Sequence, residues 1–206
     1  MARSLTIIGL GYVGLPLAQE ACRSGLVVTG LDVSTAVVDG LNAGISHVDD
    51  LDGGHMGEML AAGFTATTEA SCIATSDAVV ICVPTPLSDD GTPDLRAVES
   101  AATTIAGHLQ PGMLVVLEST TYPGTTGEFV RPILETGSGL VAGEDFHLAY
   151  SPERIDPGNE QYGLRNTPKV VGGLTEECTN AAVDFYGELV DQVVPTVGLR
   201  EAELAK

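Results

Sequence analysis

The stretch Leu5-Thr6-Ile7-Ile8-Gly9-Leu10-Gly11-Tyr12-Val13-Gly14 decides the fold of this chain. Leu5 to Ile8 is a short apolar run of the kind that forms a strand buried on both faces. The three glycines have GxGxxG spacing, and Leu15 to Ser24 has helical periodicity stopped by Gly25. Strand, glycine turn and helix in that order form the context in which the spacing carries meaning. Gly9 permits the tight turn, Gly11 lets a pyrophosphate approach the backbone, and Gly14 lets helix and strand pack closely. Main-chain N–H groups around Tyr12 and Val13 and the positive end of the helix dipole then face the phosphates.

The next apolar run, Leu26 to Leu31, ends at Asp32. An acid at that place accepts hydrogen bonds from a ribose diol and repels a 2′-phosphate, which favours NAD over NADP. Beyond it the alternation continues. Helices are expected over 35–43, 56–62, 95–109, 125–136 and 176–190, with Asp94 as an N-cap and Thr125 or Thr126 as another. Strands are expected over 78–83, 113–117, 146–150, 169–171 and 192–194, and a last helix opens at Leu199. Strand–helix alternation with near-continuous apolar strands predicts a Rossmann-like α/β fold. Its sheet is doubly wound and mostly parallel, with helices on both faces.

Composition narrows the classes further. The 206 residues carry 9 basic and 28 acidic side chains, a formal charge of −19. Residues 1–110 contribute −10 and residues 111–206 contribute −9, so the acidity is a general surface property and not a tail. No basic stripe is available to meet a nucleic acid or an anionic membrane. At 44% apolar and 18% charged residues the chain has the means to fill a core. No apolar run is long enough for a transmembrane helix, and the N-terminus lacks a signal-peptide pattern. Cys22, Cys72, Cys82 and Cys178 have no paired spacing and read as structural thiols. The four histidines lack ligand spacing, so no metal is expected. Together these point to a cytoplasmic protein.

In an open α/β sheet, ligands bind beyond the carboxyl ends of the strands, and three polar loops fall there. Val83-Pro84-Thr85 either holds a hydroxyl and backbone near the cofactor or is a plain proline turn. Ser119 and Thr120, at the next strand tip, are candidate ligand or water contacts. Glu153 and Arg154, at the third, are candidate ligand groups or an exposed ion pair.

In chain order, the segments GLGYVGLPLA (9–18), LNAGISHVDDL (41–51), CVPTPL (82–87), ESTTYPGTT (118–126), SPERIDPGN (151–159), KVVGG (169–173) and AELAK (202–206) resemble the UDP-glucose/GDP-mannose dehydrogenase family. The SPERIDPGN segment looks most like the members that act on UDP-N-acetylhexosamines. The resemblance implies oxidation of the C6 alcohol of a nucleotide sugar to a carboxylate with two NAD. A cysteine captures the intermediate aldehyde as a thiohemiacetal, a second hydride transfer to NAD gives a thioester, and water hydrolyses it.

By position, the resemblance makes Glu153 the catalytic glutamate and Thr120 the residue that positions a catalytic water and contacts the cofactor. It makes Lys206 the lysine that stabilises the oxyanion. It implies NAD contacts from Gly9, Gly11, Tyr12, Val13, Gly14, Asp32, Val83, Pro84, Thr85, Ser119 and Thr120, and substrate contacts from Glu153 and Arg154. Two departures stand out. No cysteine lies in a glycine-rich segment after the lysine helix, and Val37 stands where many relatives carry a basic residue. The expectation is therefore an NAD-binding domain over 1–197, followed over 198–206 by the start of a truncated connecting helix, inactive alone. The full-length protein is expected to be a homodimer and this chain monomeric or weakly associated. UDP-glucose as substrate, a non-catalytic dinucleotide-binding module and a two-electron hydroxyacid dehydrogenase are the alternatives.

Overall fold

A computed structural model describes residues 3–49, 51–88, 91–153 and 163–206. The elements follow the expected alternation. They are β1 (Ser4–Ile8), α1 (Gly14–Arg23), β2 (Val27–Leu31), α2 (Thr35–Asn42), α3 (Gly53–Ala61), β3 (Thr65–Thr67), β4 (Ala78–Ile81) and α4 (Arg96–Ala106). After these come β5 (Leu114–Leu117), α5 (Arg131–Ser138), β6 (His147–Tyr150), β7 (Lys169–Gly173), α6 (Glu176–Tyr186), β8 (Val193–Pro195) and α7 (Leu199–Leu204). A 3-10 turn, Ala70–Thr75, precedes β4, and a π-helical turn, Thr125–Val130, leads into α5.

The strands form one sheet in the order β3-β2-β1-β4-β5-β6-β7-β8. The first six positions are the doubly wound order with its reversal beside β1. Every pairing is parallel except β6 with β7, which run antiparallel with Ala149 opposite Gly173 and Tyr150 opposite Gly172. All residues of β4 and β5 are buried, as a strand covered on both faces requires. Alternate side chains feed two cores. Ala78, Val80, Leu114 and Val116 join α1, α2, α3 and α6 on one face. Val79, Ile81, Val115 and Leu117 join α4, α5 and α7 on the other.

The helix ends show how local chemistry sets the boundaries. Gly25, at φ +86°, closes α1 in a Schellman motif: its N–H donates to the Cys22 carbonyl and that of Leu26 to the Ala21 carbonyl, both at 3.0 Å. Ser34 caps α2 by accepting the Val37 N–H at 3.3 Å, and Thr175 caps α6 by accepting that of Cys178 at 3.2 Å. Asp52 accepts the N–H groups of Gly54 and His55, which starts α3 earlier than its apolar residues suggest.

Two expected caps are corrected. Leu95 occupies the N-cap of α4. Asp94 instead accepts the N–H of Arg96 at 3.0 Å and pairs with its guanidinium. Neither Thr125 nor Thr126 caps a helix. The Thr125 hydroxyl donates to the Tyr122 carbonyl at 2.7 Å, and the segment winds as a π-turn before becoming α-helical at Arg131. The acceptor that replaces a local cap is Glu203, from α7. Its carboxylate receives the Gly124 N–H at 2.5 Å, the Thr126 N–H at 2.8 Å and the Thr126 hydroxyl at 2.7 Å. Two further elements, β3 and the 3-10 turn, lack an apolar run that would announce them. The three residues of β3 extend the sheet by pairing with β2.

Candidate active site

A cleft of about 900 Å³ lies across the carboxyl ends of β1, β2, β4, β5 and β6. Its floor is the glycine loop. Gly9 has φ +91°, and a Cβ there would sit 2.7 Å from the Cys82 carbonyl. A Cβ on Gly14 would overlap the Gly9 carbonyl. Both glycines are thus required by the packing of β1, β4 and α1 on one another. Gly11 is different, because a Cβ there meets no protein atom within 4 Å. The packing leaves this position open, and the space it spares belongs to the cleft.

No described residue accepts from the N–H groups of Gly11, Tyr12 and Val13 at the start of α1. No lysine or arginine is among the described residues that line the cleft. Those N–H groups and the helix dipole are therefore the means of holding a diphosphate in this −19 chain. At the end of β2, Asp32 is fixed by the Leu10 N–H on Oδ2 and the Ser34 N–H on Oδ1, both at 2.9 Å. Each carboxylate oxygen retains acceptor capacity toward a diol. Leu10, Leu31, Val33, Val83, Ala97 and Ala101 supply apolar lining. The open Gly11, the unpaired N–H groups and the anchored Asp32 fit an NAD molecule.

The loops after β4 and β5 are stitched together. The Ser119 hydroxyl donates to the Val83 carbonyl at 2.8 Å, and the Thr85 hydroxyl to the Thr120 carbonyl at 2.6 Å. Val83, Pro84, Thr85, Ser119 and Thr120 all line the cleft, with the Thr120 side chain on its exposed side. Glu153, after β6, lines it too, and the Lys206 ammonium donates to the Glu153 carbonyl. The structure thus places Thr120 and Glu153 in the cleft lining and Lys206 against the main chain of Glu153. Arg154 lies outside the described residues.

Behind Glu153 is a polar cluster that the motif spacings do not announce. The Lys169 ammonium lies 3.0 Å from Glu118 Oε1 and 3.2 Å from Glu153 Oε2. The Tyr186 hydroxyl donates to Glu118 Oε1, and its ring stands 5.2 Å from the ammonium. Burial pushes the Glu118 carboxyl up, against the pull of Lys169. For Lys169, burial alone would favour the neutral amine, but Glu118 and Glu153 hold it above its ordinary range and keep it charged. Burial, then the nearby Glu118, raises the Cys82 thiol well above its usual value. Cys82 is the one cysteine lining the cleft, and as a buried neutral thiol it is not a nucleophile.

A signal for these residues does exist in the chain. Glu118 follows four apolar strand residues directly, and Glu203 falls on the same helical face as Leu199 and Ala202. A charge at an apolar position marks a buried partner but does not say which. Among the described residues no group of metal-ligating side chains exists, and no helix is long and apolar enough to cross a membrane.

Comparison with known proteins agrees with this geometry. Residues 3–190 match the UDP-glucose/GDP-mannose dehydrogenase family, NAD binding domain. The chain is 36% identical over 205 residues to a UDP-N-acetyl-D-mannosamine dehydrogenase of Pyrococcus horikoshii, covering 98% of this chain and 48% of that protein. It is 35% identical over 202 residues to a UDP-N-acetyl-D-glucosamine 6-dehydrogenase of Pseudomonas aeruginosa, with 98% and 46% covered. The solved UDP-D-ManNAc dehydrogenase from P. horikoshii superposes with a TM-score of 0.92, over 98% of this chain and 49% of that one. The chain spans about half the length of the curated relatives it matches. Glycine loop, anchored acid and family match converge: the chain belongs to the UDP-glucose/GDP-mannose dehydrogenase family, of which it carries the NAD-binding domain.

Proposed function

We propose that this chain supplies the NAD-binding half of a cytoplasmic UDP-N-acetylhexosamine 6-dehydrogenase, which oxidises the C6 alcohol of the sugar to a carboxylate. Residues 1–197 are the binding domain, and 198–206 open the helix toward the half that holds the sugar. The observation that supports the reading is that Thr120 and Glu153 line the same cleft as the glycine loop, with the Lys206 ammonium on the Glu153 carbonyl. Bound NAD supplies a hydride acceptor. The N–H groups of Gly11, Tyr12 and Val13 hold its diphosphate, and Asp32 takes the ribose diol. Glu153 is an acid–base group within the cleft, able to take a hydroxyl proton or orient a water. The Lys206 ammonium stabilises negative charge developing on the substrate oxygen. Thr120 positions water beside the cofactor, and Arg154 contacts the sugar nucleotide. The nucleophilic cysteine belongs to the other half, since Cys22, Cys82 and Cys178 are buried and Cys72 lies off the cleft.

Three experiments test this. Calorimetric titration of the 206-residue chain should show NAD and NADH binding, and the absence of both sinks the cofactor assignment. The full-length protein, given UDP-N-acetylglucosamine, UDP-N-acetylmannosamine, UDP-N-acetylgalactosamine or UDP-glucose, should form two NADH per acetamido sugar oxidised. A preference for UDP-glucose would reassign the substrate. Turnover by the 206-residue chain alone would refute the placement of the nucleophile. Light scattering should give a dimer for the full-length protein and a monomer for this chain.

A further inference from the structure

We propose that Lys169, tethered by Glu118 and Tyr186, is a positioning residue that sets the carboxylate of Glu153 in the cleft. The proposal rests on the catalytic role of Glu153 given above. The geometry is a bridge with one fixed end and one working end. At the fixed end, the Glu118 side chain has no solvent exposure and also accepts the Tyr186 hydroxyl. In the middle, the Lys169 side chain is 6% exposed and held between two carboxylates. At the working end, Glu153 is 11% exposed and lines the cleft.

An ion pair that only filled space would need one carboxylate. Burying it has a desolvation penalty that apolar packing would avoid. Here one cation meets two carboxylates, and the second is the group that faces the substrate side. Lys206 holds the main chain of the same residue through its carbonyl. Glu153 is thereby held at its backbone by Lys206, just beyond α7, and at its side chain by Lys169 of β7. A shift of about 1 Å in such a group lowers turnover on the order of 10²-fold.

The chain has two lysines, so the Lys169 Nζ resonance is assigned once Lys206 is substituted. In the 206-residue chain, Glu153→Gln should move the Lys169 resonance and speed its exchange with solvent. An unmoved resonance overturns the contact and the proposal with it. In the full-length enzyme, Lys169→Met should lower kcat about 10²-fold while the KM for the UDP-sugar and the Kd for NAD stay near wild type. Lys169→Arg should restore part of the loss, because it keeps the charge while changing its shape. If Lys169→Met does not fold, Glu118→Gln carries the test. It retains an acceptor for Lys169, loosens the tether, and should lower kcat about tenfold. Full kcat in folded Lys169→Met or in Glu118→Gln, alongside an inactive Glu153→Gln, overturns the proposal. So does a loss of NAD affinity that matches the loss in kcat, since that is the mark of general damage. Full kcat in Glu153→Gln instead refutes the role of Glu153, which is the reading beneath the proposal.

Discussion

At the glycine loop the cleft is made of main chain, whereas around Glu153 it is made of side chains that reach across the fold. Gly9, Gly11 and Gly14 lie within six residues, and their work is sterics and free N–H groups. Asp32 is held by the Leu10 and Ser34 N–H groups, one strand away. By contrast, Glu118 meets Lys169 from β7 and Tyr186 from α6. Glu203 reaches from α7 to the π-turn, and Lys206 reaches from beyond α7 to Glu153. A diphosphate presents the same shape in every dinucleotide, so a short preset loop suffices. The far end of the cleft has groups placed in three dimensions, and the sheet brings them from distant parts of the chain.

Substitutions should separate the two ends. The largest effect is expected from Glu153→Gln in the full-length enzyme. It should lower kcat by about 10²- to 10⁴-fold with NAD affinity retained, measured by steady-state kinetics beside calorimetry. A matching loss of NAD affinity would mean that the two ends are not separable. Next is Glu203→Ala, which leaves the Gly124 and Thr126 N–H groups and the Thr126 hydroxyl without their acceptor. Chemical denaturation should show a loss of about 3 kcal/mol, and an unchanged midpoint would remove Glu203 as the clamp on the π-turn.

The glycine loop can be divided within itself. Gly14→Ala should destabilise the fold by about 1–3 kcal/mol through overlap with the Gly9 carbonyl. Gly11→Val should leave the melting temperature unchanged and weaken NAD about tenfold, about 1.4 kcal/mol. The reverse pattern would refute the assignment of the open position to the ligand. The smallest effect is that of Ser34→Ala, a loss of about 1 kcal/mol from the α2 cap, read by thermal melting.

The same contrast explains what the chain reveals before it is folded. β1, β2, β4 and β5 are short apolar runs between punctuating glycines and prolines, so period and composition disclose them. Asp32 sits where a strand ends, and its position follows from the motif. β3 is Thr-Ala-Thr, with no apolar run, and exists because β2 offers an edge to pair with. The expected α-helix from Thr125 is instead a π-turn, and its Thr126 N–H is taken by a residue 77 positions away. Local cap chemistry cannot report such a partner. Thr120 and Glu153 are nameable as strand-tip candidates, and only the resemblance adds their roles and Lys206, while Glu118, Lys169, Tyr186 and Glu203 form contacts that appear only once the sheet order is known.

The reversed direction of β7 has a consequence for which residues a site of this kind can recruit. In a run of parallel strands, the ligand-facing rim sees only the residues at which strands finish. Because β7 runs against β6, with Tyr150 opposite Gly172, its first residue arrives at that same rim. Lys169 is that residue. A parallel β7 would carry the ammonium to the opposite edge of the sheet, a strand length from Glu153. Turning one strand around widens the repertoire of the rim from strand ends to strand beginnings, and in this chain it delivers a buried cation to a cleft whose described lining has none.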